Sequence, residues 1–458
     1  VLKTAQIIAL TTQQIQALGT YQIAALTTQQ ASILTLNQIA ALTTSQLPAL
    51  TTGDMIALST SQLIALSNTQ ISGLATDDVA ALKTAQITAL LSSQIAALTT
   101  AQVAGLTTTQ IAALLTSQLI AITTDDIAAL TTSEAAALTS AQVQALLTAQ
   151  LIALTTNDFA ALTSAQIGSL TTVQIPALTT SQIAVLTAAQ TAALTTSQIV
   201  TLTGLQLPAL STDSIVTLSS AQLRALTTAQ IQSLATDDFA SLKTSQITSL
   251  TTAQVSALTT ALMTALTTAQ TASLTTSQLN ALTTNNIAAL TTASANALTT
   301  GQIQALLTSQ ITAITTSDIA ALSTSQLVSL LTNQIQALTT DQIASLTQAE
   351  IASLTTAQQN ALKSNQISAL TSQQVTALTI SEINTLTTSQ VSNLSTASIA
   401  ALSSGQFTQL SSSQIQALTT AQIGAITTDD IINLTTSQLS ALKTNQIAAL
   451  TTAETVAL

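Results

Sequence analysis

An apolar residue returns at every eighth position from Leu2 to Leu458. All 58 stops are Leu except Ile122, Ile314 and Ile426, and no insertion or deletion interrupts the count. With this residue called a, positions b and c are mostly Thr or Ser, and d is small and variable. Position e is Gln in 41 of 57 octads, f is mostly Ile, Val or Leu, g is variable and h is mostly Ala. Residues 298–306 (LTTGQIQAL) and 442–450 (LKTNQIAAL) show how little the unit drifts.

A continuous helix cannot carry this period. Eight residues at about 3.6 per turn advance each Leu by about 80°, so the row spirals around the helix. A coiled coil needs a repeat of seven, or eleven for the opposite hand. The helix must therefore break once per octad. Thr at b followed three residues later by Gln at e is a capping box, and Leu at a with Ile at f has the spacing of a hydrophobic staple. The charges agree. All 17 acidic residues fall at d or e, in the first helical turn, and Lys3, Lys83, Lys243, Lys363 and Lys443 fall at b, just past the preceding helix. Both placements suit the helix dipole. The predicted fold is all-α, a solenoid or superhelix of short capped helices, one per eight-residue repeat.

The alternative is a β-solenoid with one short strand per octad, which the β-propensity of Thr and Ile favours. Against it, Ala, Leu and Gln are helix formers, and nine Gly in 458 residues are few for so many tight turns. Pro48, Pro176 and Pro208 all occupy g, where Pro removes a helical donor; a 3₁₀-like turn would accommodate them.

One octad cannot fold alone. Its Leu and Ile contribute roughly 1.5–3 kcal/mol each, against about 1–2 kcal/mol of backbone entropy per residue. Stability must come from stacked neighbours, which explains the strict register. Residues 1–458 read as a single uninterrupted array, expected to be a segment of a longer chain or a fibre subunit. Neither Val1 nor Leu458 looks like a capping repeat, and no signal peptide is visible at Val1. The Lys spacings are multiples of 40, and Asp78, Asp158, Asp238 and Asp318 recur every 80. Five octads per superhelical turn would align these charges; tandem duplication in the gene would also produce the spacing.

Composition removes most chemistry. Charged residues are 5% of the chain and the net charge is −11. Six dispersed basic residues do not make a phosphate-binding surface, so nucleic acid is not an expected partner. There is no Cys, His or Trp, which excludes disulfides, thiol catalysis and His-based metal sites. No apolar run approaches the roughly 20 residues of a membrane span. The acidic pairs Asp77–Asp78, Asp125–Asp126, Asp237–Asp238 and Asp429–Asp430 each offer two carboxylates, short of the six to eight oxygens of calcium, and read as helix-start acids. Ser and Thr lack a base for a nucleophilic triad. No catalytic, cofactor or metal residue is assigned, and no enzyme activity is expected. Two sequons, at Asn393 and Asn433, lie at h, a position expected near the core.

The unit LTTxQIxAL resembles the opening helix of repeats in transcription-activator-like effectors, over one helix start and without their basic DNA-facing residues. Over all 458 residues the chain is similar to the Thr/Gln/Ala/Leu octad arrays of very large bacterial surface or secreted proteins, some described as adhesins or haem-utilisation proteins. That resemblance implies an extracellular or cell-surface location, often reached by type I secretion. If haem is meant literally, only Tyr21 or a Met could serve as ligand here.

The expected function is therefore structural: a repeat protein forming or spanning a bacterial surface fibre or matrix filament, with self-association end to end or laterally. The alternative is an adhesin stalk or Thr-rich surface-binding module for a glycan, ice or another surface. Thr at c, such as Thr260 and Thr276, would then present the binding row.

Overall fold

The computed structural model describes residues 2–458, so the expectation about the Val1 end lies outside the described residues. Among them are 54 α-helices of four to six residues and three 3₁₀ turns, with no strand. The fold is an all-α solenoid with one short helix per octad.

Thr108–Ala113 shows how the sequence writes each helix. Thr107 holds the extended N-cap conformation, φ −75° and ψ 154°. Its Oγ1 accepts from the Gln110 N–H at 3.2 Å, and its own N–H donates to Gln110 Oε1 at 2.8 Å. These are the two reciprocal bonds of a capping box. The helix stops at Leu114 (φ −54°, ψ 137°), and Leu115 (φ −67°, ψ 149°) is already the next N-cap. Two extended residues, a and b, thus make the whole corner. No described residue has a positive φ, which is why a chain with 56 corners between its helices needs few glycines.

The core is a double row. Position f is fully enclosed, as at Ile111 and Phe159, and a is nearly so, as at Leu114 and Leu162. Phe239 and Phe407 occupy f as well, whereas Tyr21 is 86% exposed. Position h is not core. Asn433 is exposed, and the side chains of Asn393 and Asn433 turn back on their own helices, to Ser389 O (2.7 Å) and Asp429 O (2.6 Å). The expectation that both sequons lie near the core is corrected at Asn433, which caps its helix at the surface; Asn393 is half-buried, as most h residues are.

Helices pack on helices three octads away, as Thr108–Ala113 does on Thr132–Ala137 and that helix on Thr156–Ala160. Side-chain bonds between successive turns span 23 to 31 residues, and the recurring bond from e to the carbonyl at a spans 28. One turn is therefore three and a half octads. This corrects the suspected five. Steps of 40 and 80 residues are not whole turns of 28, so within either unit the Lys and Asp spacings do not return to the same point of the circuit.

The described chain forms two compact units, Val1–Leu234 and Ala235–Leu458. The first contains the 3₁₀ turns Leu47–Ala49, Ile175–Ala177 and Leu207–Ala209, each with its proline at the second position. The tighter turn keeps Leu47, Ile175 and Leu207 buried at f. The second unit is α-helical in every octad.

Candidate functional site: the glutamine ladder

Position e is where the chain concentrates its polar specificity. Gln118 is buried, yet every polar atom of its amide is used. Its Oε1 accepts from the Leu115 N–H at 2.9 Å; its Nε2 donates to Ile87 O at 2.9 Å and Leu90 O at 2.7 Å, one turn earlier. One amide therefore caps the N-terminus of its own helix and the C-terminal carbonyls of a helix below. Both ends of a short helix carry orphan backbone groups, and burying them unpaired is costly. The same arrangement recurs at Gln94, Gln110, Gln206, Gln310 and Gln446. Where b is not a hydroxyl residue, as at Lys83 or Leu91, the glutamine half of the box still closes on the backbone N–H (2.8 and 2.9 Å).

The sequence signal for this second role was present. A capping box accepts Glu or Gln at its third helical position. Here Gln outnumbers Glu 41 to 4 at e. A carboxylate can accept from the b N–H, but it cannot donate to the carbonyls below. The bias towards the amide is the mark of a donor requirement. Exceptions obey it where they can. Asn286 reaches Leu258 O at 2.7 Å, and the hydroxyls of Ser214, Ser294 and Ser398 reach Leu186, Leu266 and Leu370 O at 3.1–3.2 Å.

The helix-start acids divide into two kinds. The d members, such as Asp77 and Asp125, are exposed; the e members, such as Asp54, Asp78, Asp126 and Asp158, are buried. A buried Asp reverses the direction of the ladder. Asp126 Oδ2 accepts from Thr123 Oγ1 at 2.6 Å, and Oδ1 accepts from Thr100 Oγ1, a c residue of the turn below, at 2.8 Å. Asp78 with Thr52, Asp158 with Thr132 and Asp318 with Thr292 repeat it. Burial holds the Asp78 carboxyl above the usual carboxylate value; the Thr52 hydroxyl opposes this, and Asp77 and Asp54 add to it. Asp54 Oδ1 is buried without a hydrogen-bond partner.

Among the described residues no group of three or more acidic side chains is placed to hold a metal ion. No described helix is long and apolar enough to cross a membrane. Of the side chains that could ligate haem iron, Tyr21 is on the surface and Met55 and Met263 lie wholly in the core.

Fold and ladder together define a class: an α-solenoid of octads in which a buried amide ties each turn to the one below. The chain belongs to the ALTTAQ repeat family, which matches it in twelve stretches. Among these are 1–28, 47–84, 119–156, 205–236, 311–348 and 423–458, and together they cover more than half of its length. No curated protein matches the chain.

Proposed function

We propose that this is a non-enzymatic structural protein of the bacterial cell exterior, an array that spans distance within a surface fibre or matrix filament. The observation that carries the reading is the ladder. Its bonds tie turn to turn within each unit, with the 28-residue step recurring from Gln38 to Leu10 through Gln230 to Leu202 in the first and from Gln270 to Leu242 through Gln446 to Leu418 in the second. A solenoid so tied resists extension turn by turn, because neighbouring repeats supply its stability. The extracellular assignment rests on the resemblance to octad arrays of secreted and surface proteins.

Optical-tweezers extension of the chain held by its ends tests the mechanical role. Stepwise, reversible release in increments of about one turn is expected. Extension without measurable resistance would overturn it. Protease treatment of intact source cells tests location; an array that becomes cleavable only after lysis is not on the surface.

A surface-binding module is the second reading, supported by the exposure of c residues such as Thr260 and Thr276. Binding to a glycan or ice surface that falls when both become Ala, with helical circular dichroism unchanged, would favour it over a passive span.

A further inference from the structure

The 28-residue turn shows an order in the first unit that the octad period hides. Ile8, Leu36, Ile64, Leu91, Ile120 and Leu147 are all surface side chains, 40–54% exposed. They occupy g, c, g, b, g and b, so no octad position unites them. Their spacings are 28, 28, 27, 29 and 27 residues, which places one on every turn at the same point of the circuit. Pro176 and Leu205 continue the row at steps of 29 and 29. Because one turn is three and a half octads, a row along the solenoid must alternate between the helix end (g) and the helix start (b, c or d), as this one does.

The same face is free of charge. Within four residues on either side of all eight row members there is no Asp, Glu, Lys or Arg. The eight acidic residues of Val1–Leu234 all lie off the row, from Asp125, five residues past Ile120, round to Asp54, ten residues short of Ile64. The first unit thus carries an apolar row flanked by uncharged residues, with its acids spread over the rest of the circuit.

We infer that this row is a lateral docking face for a second copy of the chain. Three observations select that occupant. Both copies carry the row at the same pitch, roughly 8–10 Å per turn for packed helices. A two-fold pairing therefore matches every member against one on the partner, as an isologous interface requires. The area is sufficient: eight side chains exposing on the order of 80 Å² each supply most of the roughly 800 Å² per partner of a stable interface. Charge favours a copy over a membrane. Two acidic chains of net charge −11 meet with least repulsion through their uncharged faces. A lipid surface, by contrast, is anionic and is recognised through Lys and Arg, which the row lacks. The inference deepens the filament reading, resting on it only in that copies must meet. Lateral pairing can fail while the array still bears load, so the two tests are independent.

Sedimentation velocity over a concentration series of the 458-residue chain decides it. The native chain is expected to pair. The quadruple variant Ile64→Gln, Leu91→Thr, Ile120→Gln and Leu147→Thr is expected to weaken pairing at least a hundredfold. Each replacement is a residue the array already uses at that octad position. Thr at b also restores a cap that Leu91 and Leu147 lack, so thermal stability should hold or rise while association falls. Leu307→Thr, Leu331→Thr and Ile380→Thr, in the second unit and off the row, should leave pairing intact. A native chain that stays monomeric throughout overturns the inference, as does a quadruple variant that pairs normally. Flotation with phosphatidylserine vesicles, lost in the quadruple variant, would assign the row to lipid and overturn the second copy.

Discussion

Residues 84–122 and 123–162 are two adjacent stretches of the same octads, one with uniform polarity between turns and one in which two octads reverse it. In the first, all five e residues are Gln: Gln86, Gln94, Gln102, Gln110 and Gln118. Each Nε2 donates to the a carbonyl one turn back, at 2.7–2.9 Å. In the second, Asp126, Glu134 and Asp158 interrupt the series. Asp126 and Asp158 bind the turn below by accepting from Thr100 and Thr132. The carbonyls of Ile95 and Leu98, which a glutamine at 126 would reach, receive no hydrogen bond from Asp126, whose side chain only accepts. Both stretches keep one short helix per octad and buried rows at a and f. The cap at the helix start tolerates either chemistry, whereas the tie between turns needs a donor.

The largest disruption should come from a slip of register inside the all-glutamine stretch. Inserting one Ala after Leu114 leaves composition and charge nearly untouched. A free surface loop tolerates such additions, but here residues a and b are the entire corner. The insertion displaces Gln118 from Ile87 and Leu90 and breaks the following ties for about one turn. Each lost cap costs about 0.5–2 kcal/mol and each lost buried bond about 1 kcal/mol or more, over three or four octads. Hydrogen exchange should show protection lost for roughly one turn on either side of residue 114 and retained beyond, because solenoid repeats depend on near neighbours. Unfolding of the whole array, or no loss of protection, would contradict the ladder as the source of register.

A single isosteric change separates the two roles of the amide. Gln118→Glu preserves acceptance from the Leu115 N–H but removes both donors to the turn below. It should destabilise by about 1–3 kcal/mol, the range for a buried group left unpaired, in urea denaturation followed by circular dichroism. A change within about 0.5 kcal/mol, the level of an ordinary surface substitution, would mean that the inter-turn bonds carry no net stability.

The converse substitution belongs in the second stretch. Asp126→Gln supplies donors towards Ile95 O and Leu98 O, and the Thr100 hydroxyl that it releases is exposed to water. Stability should rise by about 1 kcal/mol, the usual net value of a hydrogen bond. A loss would show that the Thr100–Asp126 bond contributes more than the tie it replaces.

The helix in each octad was legible because its signals are local: the cap at b and e, the staple at a and f, and acids confined to d and e. The three prolines at g were legible as 3₁₀ turns for the same reason. The circuit of the solenoid was not. Whether three and a half or five octads close a turn depends on how the extended residues at a and b aim each helix at the next. Propensity does not encode that angle, and the spacing of Lys3, Lys83 and Lys243 suggested a wrong one. The excess of Gln over Glu at e was a visible trace of the inter-turn bond. Its meaning emerges only once Ile87 and Leu90 are known to lie beside Gln118. The apolar row of the first unit is invisible in the octad frame, because Ile8, Leu36 and Leu91 occupy three different octad positions.

The smallest expected effect concerns Asp78, where the reversed polarity carries a proton dependence. Burial raises its carboxyl above the ordinary value, with Asp77 and Asp54 adding to the rise and Thr52 opposing it. The native state therefore binds the proton more tightly than the unfolded chain does. Linkage fixes the sign: the native state gains stability as pH falls from the raised folded value towards the unfolded one, and loses it again as pH rises. Asp78→Asn removes the titrating group and adds an amide donor at a position one turn above Leu50, as Asn286 lies one turn above Leu258. The variant should be the more stable protein at neutral pH. Its advantage should shrink on acidification towards the ordinary carboxylate range, as the native Asp78 becomes protonated. Urea midpoints of both proteins between pH 7 and pH 4 measure the difference. An advantage that stays constant or widens over that interval would show that the Asp78 carboxyl is not held against its charge.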